Sequence, residues 1–243
     1  MNTLEYLTSL VQFASFKTLS EIKAKSILNA CGVNHSSVDT DTYLIIGKNI
    51  VPYGLHGMGF NDNGIRVSRI DSWDKQILDC TCETIDGEIA DLIAQGKQYD
   101  YVIAPDEWLT FAEDEQEQIQ KINWVSKLAR KGFYTTLKDY KNMHASQRFF
   151  QDPFQLKTDT GDCIIIRKRD WSQTDRQAWI ARTYMIHNDN LVIGDPEHCR
   201  TMYFKQLAKF SSDANATGFQ VEKKIMYKPM FSKSFEYIIY ISF

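Results

Sequence analysis

The sequence has no apolar run of membrane-span length, no internal repeat and no low-complexity tract. A spanning helix needs about 20 consecutive apolar residues, so none is expected. Residues 1–9 include Glu5 and no basic stretch, which is unlike a secretory leader. Cysteines are few and odd in number, five in all: Cys31, Cys80, Cys82, Cys163 and Cys199. That pattern fits reduced thiols in a cytoplasmic protein rather than a disulfide framework. Cys80 and Cys82 form a C-x-C with no second pair at zinc-finger spacing. They read as a weak metal pair or as two small buried strand residues. The five histidines share no ligand spacing, and no metal site is expected. Charge of one sign is also lacking. With 28 basic and 31 acidic side chains the net charge is -3, so no global pull on nucleic acid exists, although a local basic face stays open.

What is present is an ordinary globular composition, 43% hydrophobic and 24% charged, in a chain of 243 residues that suits one large domain. Residues 1–42 read as a helical preface. Leu4, Leu7, Leu10 and Val11 recur at helical spacing, and Thr18-Leu19-Ser20-Glu21 is a capping box for a second helix. The pattern then changes to short apolar runs. Residues 43–46 (Tyr-Leu-Ile-Ile) end at Gly47, as a buried parallel strand does. Further strands are predicted at 65–70, ending at Asp71, at 77–82, and at 99–104, ending at Pro105-Asp106. Between the last two a short helix is expected over 86–94. An amphipathic helix is predicted over 113–130, with Ile119, Ile122, Val125 and Leu128 on one face and an acidic first turn that suits the helix dipole. Gly132 is read as its stop, and residues 133–137 as a fifth strand.

Strands separated by helices imply a wound parallel sheet. A β-rich stretch follows around 150–195, with strands at 162–168, 180–186 and 191–193. His187-Asn188-Asp189-Asn190 is the hairpin turn between the last two. A helix over 201–211, a Gly218-Phe219 turn and two strands at 220–228 and 235–243 complete the reading.

This order resembles the class I S-adenosylmethionine-dependent methyltransferases, whose fold has five parallel strands, a further helix and a terminal antiparallel hairpin. Tyr99-Asp100-Tyr101-Val102-Ile103 resembles the family's fourth strand. Lys131-Gly132-Phe133-Tyr134 resembles the start of its fifth, and residues 200–221 its last helix, Gly-Phe turn and following strand. The resemblance covers residues 43–243 and implies an α/β, Rossmann-like wound sheet with a C-terminal antiparallel hairpin. It also implies S-adenosylmethionine as cofactor. One departure stands out: Gly47 is followed by Lys48-Asn49-Ile50 where the family has a glycine-rich loop. The dense cluster Gly54, Gly57 and Gly59 comes seven residues later and does not match the dinucleotide fingerprint.

In such a site the donor is already activated, so alignment and exclusion of water carry the reaction. The resemblance implies that Gly47 lets the backbone approach the methionine portion. It puts Asp71 at the two ribose hydroxyls, with helix capping as the other reading. Asp79 then flanks the adenine or is a surface residue, and Ala104, at the end of the fourth strand, is counted with the cofactor-binding residues. Asp106 orients or deprotonates an acceptor, or caps the next helix, and Trp108 stacks on the acceptor or packs in the core at the entry to that helix. Residues 104–108 match neither the Asn/Asp-Pro-Pro-Tyr motif of amino-methylating DNA enzymes nor a Pro-Cys nucleophile.

The mixture of Arg148-Phe149-Phe150, Trp171, Arg176 and Trp179 suits nucleic-acid stacking or the packed interior of a β-rich lobe. The implied function is methyl transfer to a small molecule or a nucleic acid, without membrane association. The alternative is a non-catalytic binding or scaffold protein on the same fold, which the altered Gly47 loop supports.

Overall fold

The computed structural model describes residues 26–27, 29–30, 42–46, 66–70, 83–85, 89–105, 108–138, 154–158, 161–226 and 235–243. Two sheets organise them. The first has seven strands: β1 (Thr42–Ile46), β2 (Arg66–Ile70), β3 (Glu83–Ile85), β4 (Tyr99–Ala104), β5 (Ala129–Lys138), β11 (Gly218–Met226) and β12 (Phe235–Ser242). Their order is β11-β12-β5-β4-β1-β2-β3. Strands β1 to β5 pair in parallel, and β12 runs antiparallel to both β5 and β11. The expected wound sheet with a closing antiparallel hairpin is therefore present.

Apolar alternation sorts the two faces of this sheet. Leu44, Ile46, Val102, Ala104, Phe133, Leu137, Ile239 and Ile241 enter one core cluster with helices α1 (Ile89–Ala94), α2 (Glu115–Leu128) and α3 (Phe204–Asp213). Helix α2 starts where Asp114 caps it, its carboxylate accepting from the Glu117 N–H at 2.8 Å, while Glu117 accepts from the Glu113 N–H at 2.8 Å. The first bond satisfies a donor that a helix start otherwise leaves unpaired, and the second holds the residue before the cap. The opposite face carries a row of contacting rings across four strands, Tyr43, Tyr101, Tyr134 and Tyr240, with successive centroids 5.4, 5.9 and 4.7 Å apart, the first pair stacked and the other two tilted.

The second sheet is antiparallel, in the order β10-β8-β7-β6 with β9 also on β8. Its strands are β6 (Phe154–Thr158), β7 (Gly161–Trp171), β8 (Ala178–His187), β9 (Asn190–Ile193) and β10 (Glu197–Arg200). The β8–β9 turn takes positive φ at Asn188 (49°) and Asp189 (61°), the backbone that a two-residue hairpin needs and that Asn and Asp tolerate.

The strand expected at 77–82 lies outside the described residues; β3, Glu83–Ile85, pairs with β2 from Ser68 to Ile70. Two expectations shift. Gly132 does not stop α2. The helix ends at Leu128, and Ala129 already has extended backbone (φ -92°, ψ 125°) because it pairs with Tyr99. Gly218 and Phe219 are the first residues of β11 rather than a turn before it. The stop after α3 lies earlier, at Asn215 with φ 64°, where the Ala216 N–H reaches back to the Ser211 carbonyl at 2.9 Å. A left-handed residue with such a backward bond is a common helix ending.

Candidate functional site

In an open α/β sheet, ligands bind beyond the carboxyl ends of the strands where strand order reverses. Here the reversal falls between β1 and β4, which are neighbours although β2 and β3 intervene in the chain. The crevice edge is formed by Ile46, Ala104 and Pro105, all buried. The Ala104 carbonyl accepts from the Thr135 hydroxyl at 2.9 Å, which locks the ends of β4 and β5 together. Of the site residues expected from sequence, Gly47, Asp71, Asp79 and Asp106 lie outside the described residues. Ile46 and Ile70, the residues just before the first two of these, end β1 and β2 at the carboxyl edge.

Trp108 opens a short 3-10 turn, Trp108–Thr110, directly after β4. Its side chain is half-buried against the main core, and the Lys121 ammonium stands 5.4 Å from its ring centroid. The turn is fastened from α2 by two polar residues that sequence reasoning missed. Buried Gln118 donates from Nε2 to the carbonyls of Leu109 and Arg200, each at 3.1 Å, and of Thr201 at 3.4 Å. Buried Lys121 donates to the carbonyls of Trp108, at 3.4 Å, and Phe111, and pairs with Glu117 at 3.0 Å. A signal existed: Gln118 lies on the helical stripe of Ile122 and Val125, a polar break in an apolar face. Such a break in a buried stripe requires partners.

Gln118 thereby joins the segment after β4 to the end of the second sheet. Phe111 reinforces the junction by packing with Trp171 and Tyr203 around the buried trio Trp179, Ala181 and Cys199. The Arg167 guanidinium lies 5.6 Å from the Phe111 ring and pairs with Glu197 at 2.7 Å. Trp171 and Trp179 pack on each other, centroids 4.8 Å apart. Arg200 is bound by Asp175 and donates to Gln177 at 3.3 Å. The bond from Arg200 holds the Asp175 carboxyl below the usual range. Burial raises the Cys163 thiol above its ordinary value, so that sulfur is a packed thiol rather than a thiolate.

At the amino edge Asp100 ties three strands together. It accepts from the Thr42 N–H at 2.8 Å and hydroxyl at 2.9 Å, and from Arg130 at 3.1 Å. An open cleft of about 520 Å³ lined by Asn123, Ser126, Lys127, Asp213, Asn215 and Phe243 also lies on this edge, away from the strand-order reversal. Among the described residues no group of three or more His, Cys, Asp or Glu side chains is arranged to hold a metal, and no helix is long and apolar enough to cross a membrane.

No protein-family model and no curated protein matches the sequence. Solved structures do match the fold. A methyltransferase from Clostridium acetobutylicum superposes with a TM-score of 0.61 at 10% identity, covering 98% of each chain. CalS10, an amino pentose methyltransferase from Micromonospora echinaspora solved with S-adenosylmethionine bound, gives 0.59 at 10% identity, covering 100% of this chain and 97% of its own. The sugar N-methyltransferase KedS8 from a Streptoalloteichus species gives 0.61 at 7%, covering 96% and 92%. Likeness at such identities is likeness of fold, and over nearly its whole length this chain has the class I S-adenosylmethionine-dependent methyltransferase fold.

Proposed function

We propose that this chain is an S-adenosylmethionine-dependent methyltransferase acting on a small-molecule acceptor. One observation carries the reading. The strand order reverses between β1 and β4 in a seven-stranded sheet whose fold is shared, nearly end to end, with methyltransferases. The bound cofactor supplies an activated methyl group on a sulfonium. The crevice fits it in what is described: Ile46, Ala104 and Pro105 are small or apolar, and buried, and would shield the cofactor from water. Gly47 would let the backbone close on the methionine portion. Asp71 would accept the two ribose protons, and Asp79 would flank the base. On the acceptor side Asp106 would orient the nucleophile or take its proton, with Trp108 as a wall.

The packing of the second sheet supports a small acceptor over a nucleic acid. Trp171 and Trp179 pack against each other at a tilt within the buried cluster of the second sheet, and Arg167 and Arg200 are engaged by Glu197 and Asp175. Stacking on bases needs free aromatic faces and unpaired cations. CalS10 and KedS8 act on amino sugars or sugars by name, so amine-bearing sugars are the first acceptors to try.

The test is thermal unfolding of the full chain with S-adenosylmethionine and with S-adenosylhomocysteine. Ligand at 100 times its Kd stabilises the folded state by about 2.7 kcal/mol, so the melting temperature should climb with concentration. No shift at millimolar ligand, and no heat in calorimetry, would sink the enzyme reading in favour of a binding or scaffold role.

A further inference from the structure

The side-chain amide of Gln118 has one orientation open to it. Three backbone carbonyls surround its nitrogen, those of Leu109 and Arg200 at 3.1 Å and of Thr201 at 3.4 Å. Carbonyls only accept, so the nitrogen is held against them and the oxygen is turned away. That oxygen, Oε1, is buried and meets no donor among the described residues. The Thr201 hydroxyl is buried too, and meets neither donor nor acceptor among them. Both residues are 0% exposed, and they are neighbours, since the amide of one reaches the carbonyl of the other.

Side-chain direction brings these two oxygens to the same interior. Cys199 belongs to the buried cluster of the second sheet. Arg200 is only partly buried and its guanidinium turns to Asp175 and Gln177. Thr201, two residues after Cys199, faces inward again, as strand alternation requires. A buried amide oxygen and a buried hydroxyl left bare each carry a desolvation cost, and in folded proteins such atoms nearly always bond to protein or to ordered water. A buried water needs two to four polar partners. The two oxygens supply two. The Thr201 carbonyl supplies a third, because two amide hydrogens serve three carbonyls and the longest of those bonds is its own.

We propose that one water molecule is bound inside the junction between the second sheet and the turn after β4. It donates to Gln118 Oε1 and to the Thr201 carbonyl, and accepts from the Thr201 hydroxyl. Gln118 then holds the end of β10 twice, directly through its nitrogen and through the water by its oxygen. This inference does not depend on the catalytic reading.

The sign of one substitution tests it. Thr201→Val replaces the hydroxyl by a methyl group of like shape. Removing a hydroxyl that is buried and bare is neutral or stabilising. Removing one that is bonded to water should lower the folding constant of the full chain about fivefold, read by urea unfolding. In a Gln118→Met background the water has lost its other anchor, so the same change should cost about twofold or less. A crystal structure at a resolution that shows ordered water should have a peak within hydrogen-bond distance of both oxygens. A neutral or stabilising Thr201→Val overturns the site, as do equal costs in the two backgrounds. So does electron density with no peak between the oxygens, or with the Thr201 hydroxyl bonded directly to Gln118.

Discussion

The ring of Tyr240 occupies the volume in which a side chain at Gly132 would stand. A Cβ at residue 132 would come within 2.3 Å of Tyr240 Cε2 and 2.6 Å of its hydroxyl oxygen. Tyr240 packs on Tyr134, its cross-strand partner, and its hydroxyl donates to the Lys131 carbonyl at 3.2 Å. The glycine at the start of the fifth strand is thus a steric requirement of the last one. Gly132→Ala should destabilise by about 1–3 kcal/mol through overpacking. In a Tyr240→Ala background the same change should cost nothing, or stabilise slightly, because alanine orders at less entropic cost than glycine within a strand. Urea unfolding of the four proteins gives the coupling, and equal costs in both backgrounds would refute the steric account.

Asp100 makes acid stability a test of the strand starts. Burial raises its carboxyl, but the bonds from Thr42 and the charges of Arg130 and Lys131 outweigh that and hold it below the ordinary aspartate value. A depressed folded value favours the folded state fully above the unfolded pKa, about 3.9. The contribution then disappears as pH falls through the lower folded value. Asp100→Asn should therefore cost stability at neutral pH, about 1–3 kcal/mol for the lost charge-assisted bonds. The gap to wild type should stay constant above about pH 5 and close only below about pH 4. A gap that closed between pH 5 and 8 would assign the effect to another group.

Gln118 is a junction residue, and its loss should be felt at both ends. Gln118→Met keeps the volume but leaves the carbonyls of Leu109, Arg200 and Thr201 without their donor. Unsatisfied buried acceptors cost about 1–3 kcal/mol, so unfolding should shift by that amount. Hydrogen exchange should accelerate at 108–112 and 197–203 more than in β1 or β4. Uniform acceleration over the whole sheet would show a core defect instead of a loosened junction.

Cofactor and acceptor roles separate by mutation. Asp71→Ala should weaken S-adenosylhomocysteine by about 2–3 kcal/mol, the worth of charge-assisted bonds to a ribose, without changing the unliganded melting temperature. Unchanged affinity would place the ribose elsewhere. Trp108→Ala should lower stability by about 1–3 kcal/mol, less than a fully buried tryptophan, because its ring is half-buried beside Lys121. If Trp108 also forms the acceptor wall, turnover should fall with cofactor affinity nearly unchanged. Undiminished turnover once an acceptor is in hand would leave it a structural residue.

Local signals sufficed wherever a segment's environment follows from its own pattern. The runs at 43–46, 99–104 and 133–137 read as buried parallel strands, since a strand covered on both faces needs apolar residues throughout. The periodicity of Ile119, Ile122, Val125 and Leu128 located α2, and Asn188-Asp189 located the hairpin, because few other residues accept its backbone angles. Tertiary structure decided the rest. That β12 enters between β5 and β11, that Gly132 must make room for Tyr240, that Asp100 joins the start of β1 to that of β5, and that Gln118 fastens the second sheet to the turn after β4 are relations between segments distant in the chain. A helix closes its hydrogen bonds within itself, so its sequence carries its rule. A strand leaves donors and acceptors to partners brought from elsewhere, and a buried polar side chain likewise takes whichever carbonyls folding delivers.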